Sequence, residues 1–282
     1  MLSFIDNIVI VLCVVGVLSV GRFFSRTSQN MDSFYQANKS LPWSLAVGTL
    51  VASWYGGAGV IGTIGYSTTM GISAFFIWSV SVHMTRIPLA LWVAPKISIK
   101  VNTTISELLN RYYGRAAAFL GSIVLVVSCL SIAEIAATGY VGVAAWNANK
   151  FLVALGVVAI ATVITCLGGL MGVAVTDMIF FFLMISCVTI VFPNIFFSVG
   201  GFAGIEKALS GVAPEVLTPL GGTPVGRAIC LILLCFNVYK DPAFYQRFTA
   251  SNSANTGKRA MLTCLSIWVS FDVVLIFTGI IL

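Results

Sequence analysis

Residues 34–66 read FYQANKSLPWSLAVGTLVASWYGGAGVIGTIGY. From Trp43 onward this is an apolar run long enough to cross a bilayer, which takes about 20 helical residues for ~30 Å of hydrocarbon. Its middle is a poor helix interior. Ser53-Trp54-Tyr55-Gly56-Gly57-Ala58-Gly59 places three glycines within four residues, each costing about 1 kcal/mol against alanine. Close packing on a neighbouring helix is one reading, because small residues are common at membrane helix interfaces. An interrupted helix is the other. A second run, 225–250, carries Tyr239-Lys240-Asp241-Pro242 near its middle. Pro242 has no N–H to donate and biases Asp241 away from helix. Ionisable side chains at membrane depth cost about 2.5–3.5 kcal/mol each and face a cavity or a partner. Ending the helix at Tyr239 would leave roughly 15 residues, short of a crossing. Two interrupted spans at corresponding positions, five spans apart, point to a transporter built from inverted repeats, with cation-binding carbonyls and anion-facing helix starts at the breaks.

The composition agrees with a multi-span membrane protein. Of 282 residues 59% are hydrophobic and 9% charged, and the mean hydropathy is +1.03. A soluble domain carries about a quarter charged residues, so too little polar surface exists to coat a water-facing globule. The same numbers exclude disorder. The net charge of +6 is loop charge rather than a basic nucleic-acid footprint, so no nucleic-acid partner is expected. Seven cysteines sit in apolar stretches with no CxxC pair, and His83 is the only histidine, so neither a disulfide framework nor a metal site has its spacing. No nucleophile elbow or nucleotide loop occurs, so neither an enzyme nor an organic cofactor is expected. A channel would want a repeated filter-like sequence, and none is present.

Eight spans are expected, at 4–24, 43–66, 72–96, 116–146, 151–170, 174–200, 225–250 and 260–282. The first lacks a basic leader and a small-residue cleavage site, so it reads as retained. Loops after the odd-numbered spans hold ten Lys and Arg, from Arg22 and Arg26 to Lys258 and Arg259; the opposite loops hold Lys150 and Lys207. That bias predicts an external amino terminus in a plasma or inner cell membrane. Asn102-Thr103-Thr104 followed by Glu107 predicts a short amphipathic helix in the 97–115 loop. Residues 201–224, with Pro214, Pro219 and Pro224, read as an external loop. Among the intramembrane ionisable groups, Asp177 and Asp241 are singled out for function. Glu134, read as mid-span in the fourth helix, comes behind them, and Asp272, His83 and Arg86 last.

Three stretches resemble the sodium:solute symporter family, which includes proline, pantothenate and sugar carriers. They are residues 34–66, with Phe34-Tyr35 and Ser40-Leu41-Pro42-Trp43; GGLMGVAVTDMIFFFLM at 168–184; and DPAFYQRFTASNSANTGKRAM at 241–261. The resemblance implies an all-α, LeuT-like bundle of five-plus-five inverted repeats in a single domain over 1–282: an extra helix in 1–28, a first repeat in 41–200, and the first two helices of the second repeat in 225–282. It implies Na⁺-driven symport of a small organic solute across the lipid bilayer by alternating access. Carried over residue by residue, it puts Na⁺ on the main-chain carbonyls of Ala52 and Tyr55 and an acid of the inner cation path at Asp177. Asp241 falls where carriers of this kind place a substrate-contacting amide. Family members draw further Na⁺ ligands from the third helix of the second repeat, which this sequence does not reach. The expectation is therefore an incomplete bundle of about eight helices: a fragment, a truncated product or half of a split transporter.

The expected solute site lies between Trp54, Tyr55 and Gly56 on one side and Tyr239 and Asp241 on the other. Asp241 rather than Lys240 is expected to face it, favouring a solute with an amine or several hydroxyls over a simple carboxylate. Proline is disfavoured, because the aromatic residues that proline carriers set before the broken-helix proline are not reproduced. The alternatives are a non-transporting membrane sensor of the same fold and an inactive truncated transporter.

Overall fold

The computed structural model describes residues 2–25, 30–100, 104–210 and 214–282. Arg26, Asn102 and Thr103 of the sequence reading lie outside these. Helix α1 (Phe4–Phe24) starts from a capping box, in which Ser3 and Asp6 each accept the other's backbone N–H. A short α2 (Met31–Gln36) and a left-handed turn at Ala37, Asn38 and Lys39 follow. The first interrupted span is α3 (Trp43–Trp54) and α4 (Gly57–Met70), bent by 55°. α5 (Phe75–Ser98) widens into π-helical turns at Phe75–Val80 and Leu89–Val93. α6 (Ile105–Ser128) is capped by Thr104, whose hydroxyl accepts the Glu107 N–H. Gly114, at φ 82°, divides α6 into the expected surface helix and a spanning part. Then come α7 (Ile132–Trp146), α8 (Lys150–Ser198), α9 (Gly201–Ser210), α10 (Val225–Leu234), α11 (Pro242–Ala250) and α12 (Ala254–Ile281). A 3₁₀ stretch, Cys235–Lys240, links α10 to α11, and this second interrupted span bends by 41°.

The chain is an all-helical, multi-pass membrane protein. Among the described residues five helices are long and apolar enough to cross, or seven when each bent pair counts as one span. The longest, α8, has 49 residues. Straight, it would run about 74 Å, more than twice the hydrocarbon thickness. It breaks at Gly169 (φ 55°, ψ −161°), a conformation open to glycine. Counting its two parts separately returns the eight expected spans.

Local boundaries differ in three places. No loop separates the fifth and sixth spans, because Gly169 turns the chain by itself. The fourth span is a third interrupted helix: Cys129–Ser131 break it, with Ser131 left-handed, so Glu134 lies in the first turn of α7 and not mid-helix. The loop after α8, expected to be external, contains α9 and a 3₁₀ turn at Pro214–Leu217, short segments without span-length hydropathy.

The core is built where the interrupted spans meet α5, α8 and α12. Leu50, Val51, Leu89, Phe248, Met261 and Trp268 lie there fully buried. A parallel bridge ties the two interrupted spans at one end: Leu41 N–H donates to the Ala250 carbonyl at 3.0 Å and the Asn252 N–H to the Leu41 carbonyl at 3.1 Å. α6 buries none of its residues and turns Phe119, Val126 and Val127 outward, as lipid contact requires.

α12 crosses α4 at Gly279, where a Cβ would overlap Ser67 Oγ and the Ile64 carbonyl oxygen. Gly279→Ala must push these helices apart and is expected to destabilise the protein by about 1–3 kcal/mol. Gly65 of α4 has open space around its Cα, so Gly65→Ala is expected to be neutral or mildly stabilising. Thermal melts in detergent compare the two.

Candidate functional site

The first break opens because α3 loses its ladder. The Tyr55 N–H closes the last bond, to the Val51 carbonyl at 3.2 Å, and Tyr55 then leaves helical geometry at φ −95°, ψ 69°. Among the described residues no backbone N–H reaches the carbonyls of Ala52, Ser53, Trp54 or Tyr55. The start of α4 is satisfied from another helix. Glu134 of α7 accepts the Ala58 N–H at 3.0 Å, placing a carboxylate on the positive end of the α4 dipole. A Cβ at Gly56 would overlap the Glu134 carboxylate, so a larger residue there must displace this cap.

Tyr55 is held by a buried polar network. Its hydroxyl donates to Asp272 Oδ1 of α12. Asp272 Oδ2 accepts from Ser79 Oγ and lies 2.9 Å from His83 Nε2, both of α5. Arg86 Nη1 lies 3.2 Å from His83 Nδ1. A guanidinium only donates, so this contact assigns the proton to His83 Nε2, which donates to Asp272. The Arg86 guanidinium packs against the rings of Trp54 and Trp268, its Cζ 3.7 and 4.2 Å from their centres. Phe244 of α11 stands at 5.6 Å.

A second polar cluster joins α3, α8 and α11. Thr49 Oγ1 donates to Asp177 Oδ2. Arg247 reaches Ser53 Oγ at 2.7 Å, Thr49 Oγ1 at 3.2 Å and Asp177 Oδ2 at 3.5 Å. The hydroxyls let a charge pair exist away from water.

At the second break Asp241 caps α11, accepting the Ala243 N–H at 2.9 Å. Lys240 turns outward to Ser128 Oγ at 2.9 Å. The Tyr239 hydroxyl donates to the Thr85 carbonyl at 2.9 Å. Among the described residues no hydrogen bond or ring contact joins Trp54 or Tyr55 to Tyr239 or Asp241. Trp54 and Tyr55 meet α5 and α12 instead. A cavity of about 480 Å³ lies beside the first break, lined by Trp54, Gly59, Tyr66, Trp78, Glu134 and Leu231, within the size range of small-molecule sites.

A profile of the sodium:solute symporter family matches residues 34–282. The chain belongs to that family. Among solved structures, a Na⁺-coupled sialic acid symporter in a substrate-bound, outward-open state is similar, with a TM-score of 0.82 and 16% identity over 99% of this chain. At that identity the likeness establishes the fold, a LeuT-like helical bundle. This chain spans 61% of the length of that symporter's chain. A search of curated proteins found no match. The family and fold are those of transporters.

Sequence reasoning under-weighted the Asp272–His83–Arg86 set and the capping role of Glu134. One signal was present: His83 and Arg86 lie one turn apart in an apolar span, and Asp272 supplies the opposite charge in another.

The Asp177–Arg247 cluster predicts a coupled response. Asp177→Asn strands a buried guanidinium and is expected to cost about 1–3 kcal/mol. Adding Arg247→Gln is expected to recover part of the loss, a non-additivity read from melts of the two single variants and the double.

Proposed function

We propose that this chain carries out, or forms part of a protein that carries out, Na⁺-coupled symport of a small organic solute by alternating access. The observation that carries the reading is the run of four carbonyls, Ala52 to Tyr55, released at the first break beside a solute-sized cavity. Oxygen dipoles at an unwound helix suit a hard monovalent cation. Na⁺ binds the carbonyls of Ala52 and Tyr55, and Asp177 lies on its inward path, paired with Arg247 while the path is closed. The solute binds in the cavity against Trp54 and Gly56, with Tyr239 and Asp241 bordering it from the second break. Residues 1–28 contribute an added helix, 41–200 a first repeat and 225–282 the opening helices of a second. The amino terminus is external, as the distribution of Lys and Arg supports.

Orientation is tested in a cysteine-free background. Single cysteines at Ser210 and Asn255, both exposed, are treated with a membrane-impermeant thiol reagent on intact cells. Labelling at 210 alone is expected; labelling at 255 alone inverts the topology.

Coupling is tested in vesicles holding the protein and a panel of sugars, amino acids and carboxylates. An inward Na⁺ gradient, but not a K⁺ gradient, is expected to drive uptake of a panel member, and Asp177→Asn to raise the Na⁺ concentration for half-maximal rate. Na⁺ is also expected to raise the melting temperature over K⁺, by mass action on the folded state. No Na⁺-driven uptake together with no Na⁺-specific stabilisation removes the reading.

A further inference from the structure

Three buried nitrogens between the two breaks have no acceptor among the described residues: Arg86 Nε, Arg86 Nη2 and Trp268 Nε1. All three are donors. Arg86 is 0% exposed and Trp268 0% exposed, and their contact, Cζ to ring centre, is 4.2 Å. A buried donor without an acceptor costs about 1–3 kcal/mol, more when charged. The stereochemistry of arginine sharpens the point. Nη1 lies on the side of Cδ and is the nitrogen turned to His83 Nδ1. Nε and Nη2 form the opposite edge, the planar fork that takes two oxygens of one carboxylate in parallel bonds. The orphaned pair is therefore a bidentate site and not two unrelated nitrogens.

We infer that Arg86, with Trp268 Nε1 as a third donor, is the docking point for the carboxylate of the transported solute, a monocarboxylate with a compact apolar body. This rests on the symport reading above and names its substrate class. The carboxylates nearest the fork already have hydrogen-bond donors of their own. Asp272 is occupied by Tyr55, Ser79 and His83, and balances Arg86 through the imidazole. Asp241, the acid expected to select an amine, is engaged as the α11 cap. Trp54 covers Arg86 on one face and lines the 480 Å³ cavity. Trp54 thus touches both, and the proposed route of the solute runs past it from the cavity to the fork. Glu134 lines that cavity as well and repels an anion, so the solute enters with its charged end toward Arg86. The cavity lining is otherwise mainly aromatic and aliphatic, which suits an apolar body. A Na⁺ on the carbonyls of the same break would balance the added negative charge, giving the two ligands a reason to bind together.

The test uses the protein in lipid nanodiscs. Tryptophan fluorescence is followed during titration with sodium acetate, propanoate and cyclohexanecarboxylate. Their amides, sodium chloride and sodium phosphate serve as controls at matched ionic strength. Saturable responses to the carboxylates are expected, tightening with the size of the apolar body, and none to the controls. Arg86→Lys keeps the charge but loses the fork and is expected to weaken binding by about tenfold or more. Trp268→Phe removes one donor and keeps a ring, and is expected to weaken it several-fold. No response to any carboxylate overturns the inference. Equal responses to chloride, phosphate or the amides overturn it too. So does an unchanged affinity in a folded Arg86→Lys; should that variant not fold, an unchanged affinity in Trp268→Phe does so. The two readings fail separately. Carboxylate binding of equal strength in Na⁺ and K⁺ keeps the docking point and removes the coupling. Na⁺-specific stabilisation without a carboxylate response keeps the coupling and removes the docking point.

Discussion

A helix interrupted inside hydrocarbon must find partners for the polar groups it frees, because lipid supplies none. At Tyr55–Gly56 that requirement organises the protein. The N–H side of the break is met by Glu134 of α7 on the Ala58 N–H. The tyrosine at the corner is met by Asp272 of α12, which also gathers Ser79 and His83 of α5. Two carboxylates thus fix the corner to three other helices. Gly56 follows from the same geometry, since any side chain would displace Glu134. On the carbonyl side no backbone N–H among the described residues reaches Ala52 to Tyr55, and that asymmetry is the basis of the cation site proposed above.

The two halves of the interrupted spans are built differently. α3 and α11 are locked by Arg247, Asp177, Thr49 and Ser53 and by the Leu41 bridge to Ala250 and Asn252. α4 and α10 carry small and apolar residues and flank a cavity to which Trp54, Tyr66 and Leu231 contribute. Alternating access requires one half to part while the other closes, hinged at a few terminal residues. Here α3 and α11 are tied by hydrogen bonds and a charge pair, whereas α4 is held by the Glu134 cap and otherwise mainly by van der Waals contact. α5 runs past both breaks and carries two π-helical stretches, a feature frequent at functional positions. It brings Ser79, His83 and Arg86 to the centre.

The features legible beforehand were those a short window of sequence contains. Span lengths follow from bilayer thickness. The breaks at Tyr55–Gly56 and Asp241–Pro242 follow from glycine entropy and from the missing N–H of proline. The Thr104 cap follows from a hydroxyl three residues ahead of Glu107. The interruption at Cys129–Ser131 was hidden, because it contains neither glycine nor proline; Ser131 is held left-handed by its surroundings. Lys240 turning outward to Ser128 was equally hidden, since its partner lies 112 residues away.

By itself the sequence determined that this is a multi-span membrane protein, where its helices run, and where two of them are broken, because backbone propensity and the hydrophobic length are local properties. Only the tertiary structure decided which charges meet. Asp272 finds Tyr55 across 217 residues, Asp177 finds Thr49 across 128, and Glu134 finds Ala58 across 76. Pairing at such distances depends on helix rotation and close packing, which no local window encodes. For the same reason Arg86 read as one more intramembrane charge, and only the packed helices show that its Nε and Nη2 have no acceptor among the described residues.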